Sequence, residues 1–99
     1  MYPIFLQEPS SMEESIHREI IAKQDNFIIF KLILKKDVAL PPHKSRGLTT
    51  LIPIKGQGIL MRNTEAIAMR PGINIDLKPD NEHDVLAKTD MEFLVIEVF

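Results

Sequence analysis

Turn formers interrupt this chain about every ten residues, and that punctuation constrains its fold more than any other feature. Gln24-Asp25-Asn26, Lys55-Gly56, Pro71-Gly72, the Lys78 to Asn81 cluster and Thr89-Asp90 each break an apolar run. The intervening pieces at 26–35, 48–54, 59–63, 66–70, 73–77, 83–88 and 92–99 are short and rich in Ile, Val, Leu and Phe. Such pieces suit strands, and their spacing predicts an all-β chain folded as an antiparallel sandwich or barrel. The run NFIIFKLILK at 26–35 is almost continuously apolar, the pattern of a strand buried on both faces. Pro53 cannot donate to a ladder, so the strand that holds it should be an edge or bulged at that point. One segment carries mixed signals. Ser11 and Glu14 have capping-box spacing, and Met12, Ile16 and Ile20 recur every four residues, as in a helix. The turn at 24–26 suits a hairpin instead. We expect a brief helical turn over 10–15 and a strand over 16–23.

At 99 residues, 44% of them hydrophobic, the chain has material for one domain with a real core. It has no cysteine, which excludes disulfides, thiolate metal sites and cysteine nucleophiles. A net charge of −2 gives no general drive toward nucleic acid or an anionic membrane. The longest apolar run is broken by Lys31 and is too short to span a bilayer. The first residues, MYPIFLQEPSS, lack the basic start and small-residue cleavage site of a signal peptide, so a cytoplasmic protein is expected. Charge is unevenly placed: Lys35, Lys36, Lys44, Arg46 and Lys55 lie within one stretch whose only acid is Asp37. These are either solvated loop charges or a basic rim that would attract an anionic ligand. The apolar segments YPIFL and FLVIEVF near the two ends invite pairing with another chain, and a homodimer is expected.

The stretch DVALPPHKSRGLTTLIPIKG, residues 37–56, holds one histidine after a double proline. Its spacing resembles the first conserved motif of the cupin family, which runs glycine, five residues, histidine, one residue, histidine, three or four residues, glutamate, six residues, glycine. On this chain Asp37 stands at the first glycine, His43 at the first histidine, Ser45 at the second, Thr49 at the glutamate and Gly56 at the last glycine. The second motif falls on residues 72–87: Gly72 and His83 match, Pro79 lies one place late, Asp80 replaces a glycine and Ala87 an asparagine. The resemblance covers about half the chain. It implies a single cupin domain over 1–99, a double-stranded β-helix or jelly-roll barrel, with 1–15 as an N-terminal arm.

In metal-binding cupins the three histidines and the glutamate hold a divalent transition metal. Here only His43 and His83 remain as imidazole donors, and the neutral hydroxyls of Ser45 and Thr49 are poor replacements. The resemblance therefore implies a small-molecule site lined by His43, Ser45, Thr49 and His83, with an incomplete metal site at the two histidines. Competing readings are an enzyme of dioxygenase or isomerase type with an altered ligand set, or a metal-free isomerase using histidine as acid or base. The latter needs a partner such as tyrosine, and Tyr2 is the only one. A third reading is a filled barrel, with both histidines bonded to Thr49, Ser45 or water. Glu82 and Asp84 flank His83 and should face away from it in a strand. His17 lies outside both motifs and is expected on a strand surface.

Overall fold

The computed structural model describes residues 15–99, and these form nine strands in chain order. They are β1 (Ile16–Gln24), β2 (Phe27–Leu34), β3 (Ala39–Lys44), β4 (Leu48–Lys55), β5 (Gly58–Arg62), β6 (Glu65–Met69), β7 (Ile75–Leu77), β8 (Glu82–Ala87) and β9 (Met91–Val98). A five-stranded sheet has the order β1-β2-β9-β4-β7, and a four-stranded sheet the order β3-β8-β5-β6. Every pairing is antiparallel. The strand expected over 16–23 is present as β1. The helical turn proposed over 10–15 and the N-terminal arm fall almost wholly outside the described residues.

Alternation along each strand sends one set of side chains into a shared core. Ile28, Phe30, Leu34, Leu51, Ile75, Leu77, Met91, Phe93 and Val95 come from the larger sheet, and Leu60, Met69, Val85 and Ala87 from the smaller. The inward face changes character along the barrel. Near one end it carries Met91, Leu34, Pro53, Gly58 and Ala87. Toward the other it reads Glu97 on β9, Thr49 on β4, His83 on β8 and Arg62 on β5. The barrel interior is thus apolar at one end and polar at the other, here termed the mouth, where Ser45, Thr49 and His83 are buried.

Three sequence expectations needed the fold to settle them. The Pro41-Pro42 stretch carries no strand signal of its own, yet it lies within β3. This is possible because β3 is an edge that pairs only with β8, and its register shifts between Leu40 and His43, where the two prolines sit. Pro53 follows the expected rule. Beyond Leu51 the strand β4 no longer has β7 beside it, and its pairing with β9 shifts between Pro53 and Lys55. The expectation for 26–35 is corrected: β2 buries Ile28, Phe30 and Leu34 on the core side only. Phe27, Ile29 and Ile33 lie on the outer face of the larger sheet and are only half-buried.

Candidate functional site at the barrel mouth

Register places the two motif histidines directly opposite each other. His43 near the end of β3 pairs with His83 near the start of β8, and the rings meet edge to face with centroids 4.3 Å apart. His83 is buried at 5% exposure, whereas His43 is exposed at the rim. One ring of the pair thus lies inside the barrel and the other at its edge. An edge strand kinked by two prolines leaves its own side chain at the lip.

Each ring is held by a backbone carbonyl two residues earlier. His43 Nδ1 lies 3.2 Å from the Pro41 carbonyl oxygen, and His83 Nδ1 lies 3.2 Å from that of Asn81. A carbonyl only accepts, so each Nδ1 carries the proton and donates it. Both Nε2 atoms are therefore left with free lone pairs in the neutral rings. The bonds to Thr49, Ser45 or water expected for a filled barrel are replaced at Nδ1 by these local backbone bonds, which a side chain two residues from a carbonyl makes without help from another strand.

Thr49 is buried at 4% on β4, and its hydroxyl donates to the Gly47 carbonyl at 3.2 Å. Ser45 is buried in the turn between β3 and β4. Directly opposite Thr49 stands Glu97 of β9, a residue that the motif spacing could not reveal. The Arg46 backbone N–H donates to Glu97 Oε2 at 3.0 Å, which fixes the carboxylate at the mouth. Arg62 of β5 pairs with His83 on the other side. Its guanidinium donates to the Asp76 carbonyl at 3.1 Å and to Glu65 at 2.9 Å, tying the smaller sheet to β7 of the larger. A period-two count along β9, from Phe93 through Val95 to Glu97, was the available signal for the carboxylate.

Burial pushes the His83 ring below its ordinary value of 6.5, and the neighbouring His43 acts in the same direction. The bond to Asn81 and the charges of Asp84 and Glu97 oppose it without reversing it. His83 is thus a neutral base at pH 7. A transition metal would draw on the two Nε2 atoms, but the hydroxyls at 45 and 49 are weak donors. Among the described residues no three His, Cys, Asp or Glu side chains gather where they could hold a metal ion. The donor set does not fit the family's usual metal.

The supposed basic rim divides. Lys44 and Arg46 lie at the mouth, while Lys35, Lys36 and Lys55 lie at the apolar end, because successive antiparallel strands carry them to opposite ends. Glu82 pairs in register with Lys44, one place off the histidine row, and so faces away as expected. His17 is exposed on β1, 3.3 Å from Glu19. An open depression of about 540 Å³ lies beside the mouth, lined by Lys23, Gln24, Asp25, Arg46 and Phe99, with the Arg46 guanidinium 4.7 Å from the Phe99 ring centre.

Two facing antiparallel sheets, with the candidate residues at one open end, define a small double-stranded β-helix. Solved structures match it closely. A cupin superfamily protein from Desulfitobacterium hafniense has 14% identity and a TM-score of 0.81, over 85% of this chain and 77% of its own. An RmlC-like cupin from Desulfovibrio desulfuricans has 23% identity and a TM-score of 0.78, over 94% and 91%. A DMSP lyase, DddQ from Ruegeria pomeroyi, has 10% identity and a TM-score of 0.80, over 94% of this chain and 51% of its own. No family model matches the sequence, and no curated protein does. The chain has the cupin fold. Among the described residues no helix is long and apolar enough to cross a membrane.

Proposed function

We propose that this domain binds a small organic molecule at the barrel mouth, with the His43 and His83 Nε2 lone pairs accepting hydrogen bonds from it. The observation that carries this reading is the pairing of two imidazoles across β3 and β8, both fixed in the same tautomer by their own backbone. Two neighbouring acceptors at the polar end of a barrel are a means of recognition. Ser45, Thr49 and Glu97 belong to the same end, and the apolar core beneath supports them. Cytoplasmic location accords with the sequence and enters this reading only as an expectation.

The fold also serves enzymes, as the lyase among its structural relatives shows. Acid–base catalysis here would fall to His83, which is neutral at pH 7, and would need a second group across the ligand. The test is a screen of metabolite mixtures, followed by imidazole nitrogen NMR. Ligands should move the Nε2 resonances of His43 and His83 and leave those of His17 in place. Hits that move His17 or the opposite end of the barrel, and never the paired rings, would overturn the proposal.

A further inference from the structure

The hydrogen-bonding roles at the mouth are mostly fixed, and nearly all of those left over are acceptors. His43 and His83 donate their Nδ1 protons to the Pro41 and Asn81 carbonyls, so each offers a lone pair at Nε2. Thr49 gives its hydroxyl proton to the Gly47 carbonyl, which leaves its oxygen lone pairs. Glu97 accepts one bond at Oε2, from the Arg46 amide, and its other oxygen receives none from the described residues. Ser45, buried in the turn before β4, has the one hydroxyl that serves in either role.

The cations near this end are taken up elsewhere. Arg62 donates its guanidinium to the Asp76 carbonyl and to Glu65. The Arg46 guanidinium lies over the Phe99 ring, in the depression beside the mouth. Lys44 pairs in register with Glu82, one place off the histidine row. Glu97 is left without a counter-ion: among the described residues no lysine, arginine or histidine nitrogen lies within 4.0 Å of its carboxylate. It stands opposite the buried Thr49, and its charge acts on the buried His83. A half-buried carboxylate with no cation, beside two imidazoles that present lone pairs, makes this end attractive to positive charge.

We propose that the molecule bound here is an organic cation, whose ammonium group donates to the His43 and His83 Nε2 atoms and sets its charge against Glu97. This rests on the reading of the mouth as a binding site and names the class of ligand that the site takes. A primary ammonium has three donors and no acceptor, the complement of two imidazole lone pairs and a carboxylate oxygen. A carboxylate or phosphate would bring lone pairs to lone pairs and a like charge to Glu97. A hydroxyl matches the acceptors but leaves the charge of Glu97 unanswered. The basic residues that the sequence gathers over 35–55 therefore do not set the ligand's charge.

Propylammonium, propanol and propionate have one shape and three charges. Each is titrated into the full chain at constant ionic strength and about pH 8, above the ordinary imidazole range, and followed by NMR. Propylammonium should move the Nε2 resonances of His43 and His83 and the Glu97 carboxyl carbon, and should bind at least about 10-fold more tightly than propanol. Propionate should leave all three signals in place. Glu97→Gln keeps an oxygen for the Arg46 amide but removes the charge. It should raise the propylammonium dissociation constant at least about 10-fold and leave that of propanol unchanged. Glu92→Gln makes the same charge change on the outer face of β9 and should alter neither. Propanol or propionate moving the paired rings as readily as propylammonium would overturn this inference and leave the binding site standing. So would equal effects of Glu97→Gln and Glu92→Gln, or screened metabolites that move the pair but carry no cationic nitrogen. If neither the probes nor any screened metabolite reaches the pair, the inference and the binding site fall together.

Discussion

Two motif glycines make a matched pair for measuring what a turn costs. Gly56 and Gly72 both have positive φ, at 79° and 98°. A side chain is strained in either place, by about 1–3 kcal/mol. Their surroundings differ. A Cβ on Gly56 would meet the Asp90 carbonyl oxygen at 2.0 Å and the Met91 Cα and Cβ at 2.8 and 2.9 Å, whereas one on Gly72 would meet nothing within 4 Å. The atoms in the way at Gly56 are mainly backbone, at the start of β9 beside the buried Met91 side chain. Relief therefore means moving a central strand, and overpacking of that kind costs a further ~1–3 kcal/mol. Gly72→Ala should accordingly lose about 1–3 kcal/mol and Gly56→Ala about 2–6 kcal/mol, against a total of ~5–15 kcal/mol for a domain. Urea titrations with a common slope would give both values. Equal losses, or a larger loss at Gly72, would show that strain alone governs these turns and that the close approach at Gly56 is harmless.

Three further outcomes follow from the site. Because folding lowers the proton affinity of His83, the unfolded chain protonates first as pH falls; this stability is present above about pH 6.5 and is lost below it, toward the folded value. Urea midpoints at about pH 7.5 and 5.5 should fall further apart for the natural chain than for His83→Gln, and Glu97→Gln should lower the His83 titration midpoint seen by NMR, with no change in either refuting the assignment. The double variant Ser45→His, Thr49→Glu completes the donor set implied by the motif, and should bind cobalt at least ~100-fold more tightly than the natural chain by visible absorption. No gain would mean that positions 45 and 49 do not face the histidine pair.

Much of the fold was legible because its determinants are local. Turn residues and alternating apolar runs marked the strands, and Pro53 announced its own bulge. Asp37 shows how a motif survives the loss of its residue: it stands where the family has glycine, and its φ is 70°. Aspartate is among the few side chains that tolerate this conformation, so the turn persists without the glycine that would have announced it. The strand at Pro41-Pro42 was illegible for the opposite reason. Proline argues against a strand unless the strand is known to be an edge, and edge status is a property of the sheet order rather than of the segment.

The site divides along the same line. His43 and His83 are 40 residues apart in sequence, but fixed motif spacings located both, and the ladder of β3 and β8 brings them together. Glu97 has no motif position. It reaches the mouth because β9 lies beside β4, and that adjacency arises only when the last strand inserts between β2 and β4. The carboxylate that the motif lacks at Thr49 is thus supplied by the strand directly opposite. Its position there is set by the Arg46 amide. On the proposed reading, such a site can exchange metal ligands for hydrogen-bonding groups while the barrel that presents it stays the same, because the residues that close the core and those that line the mouth share the inward face of the same strands but lie at opposite ends.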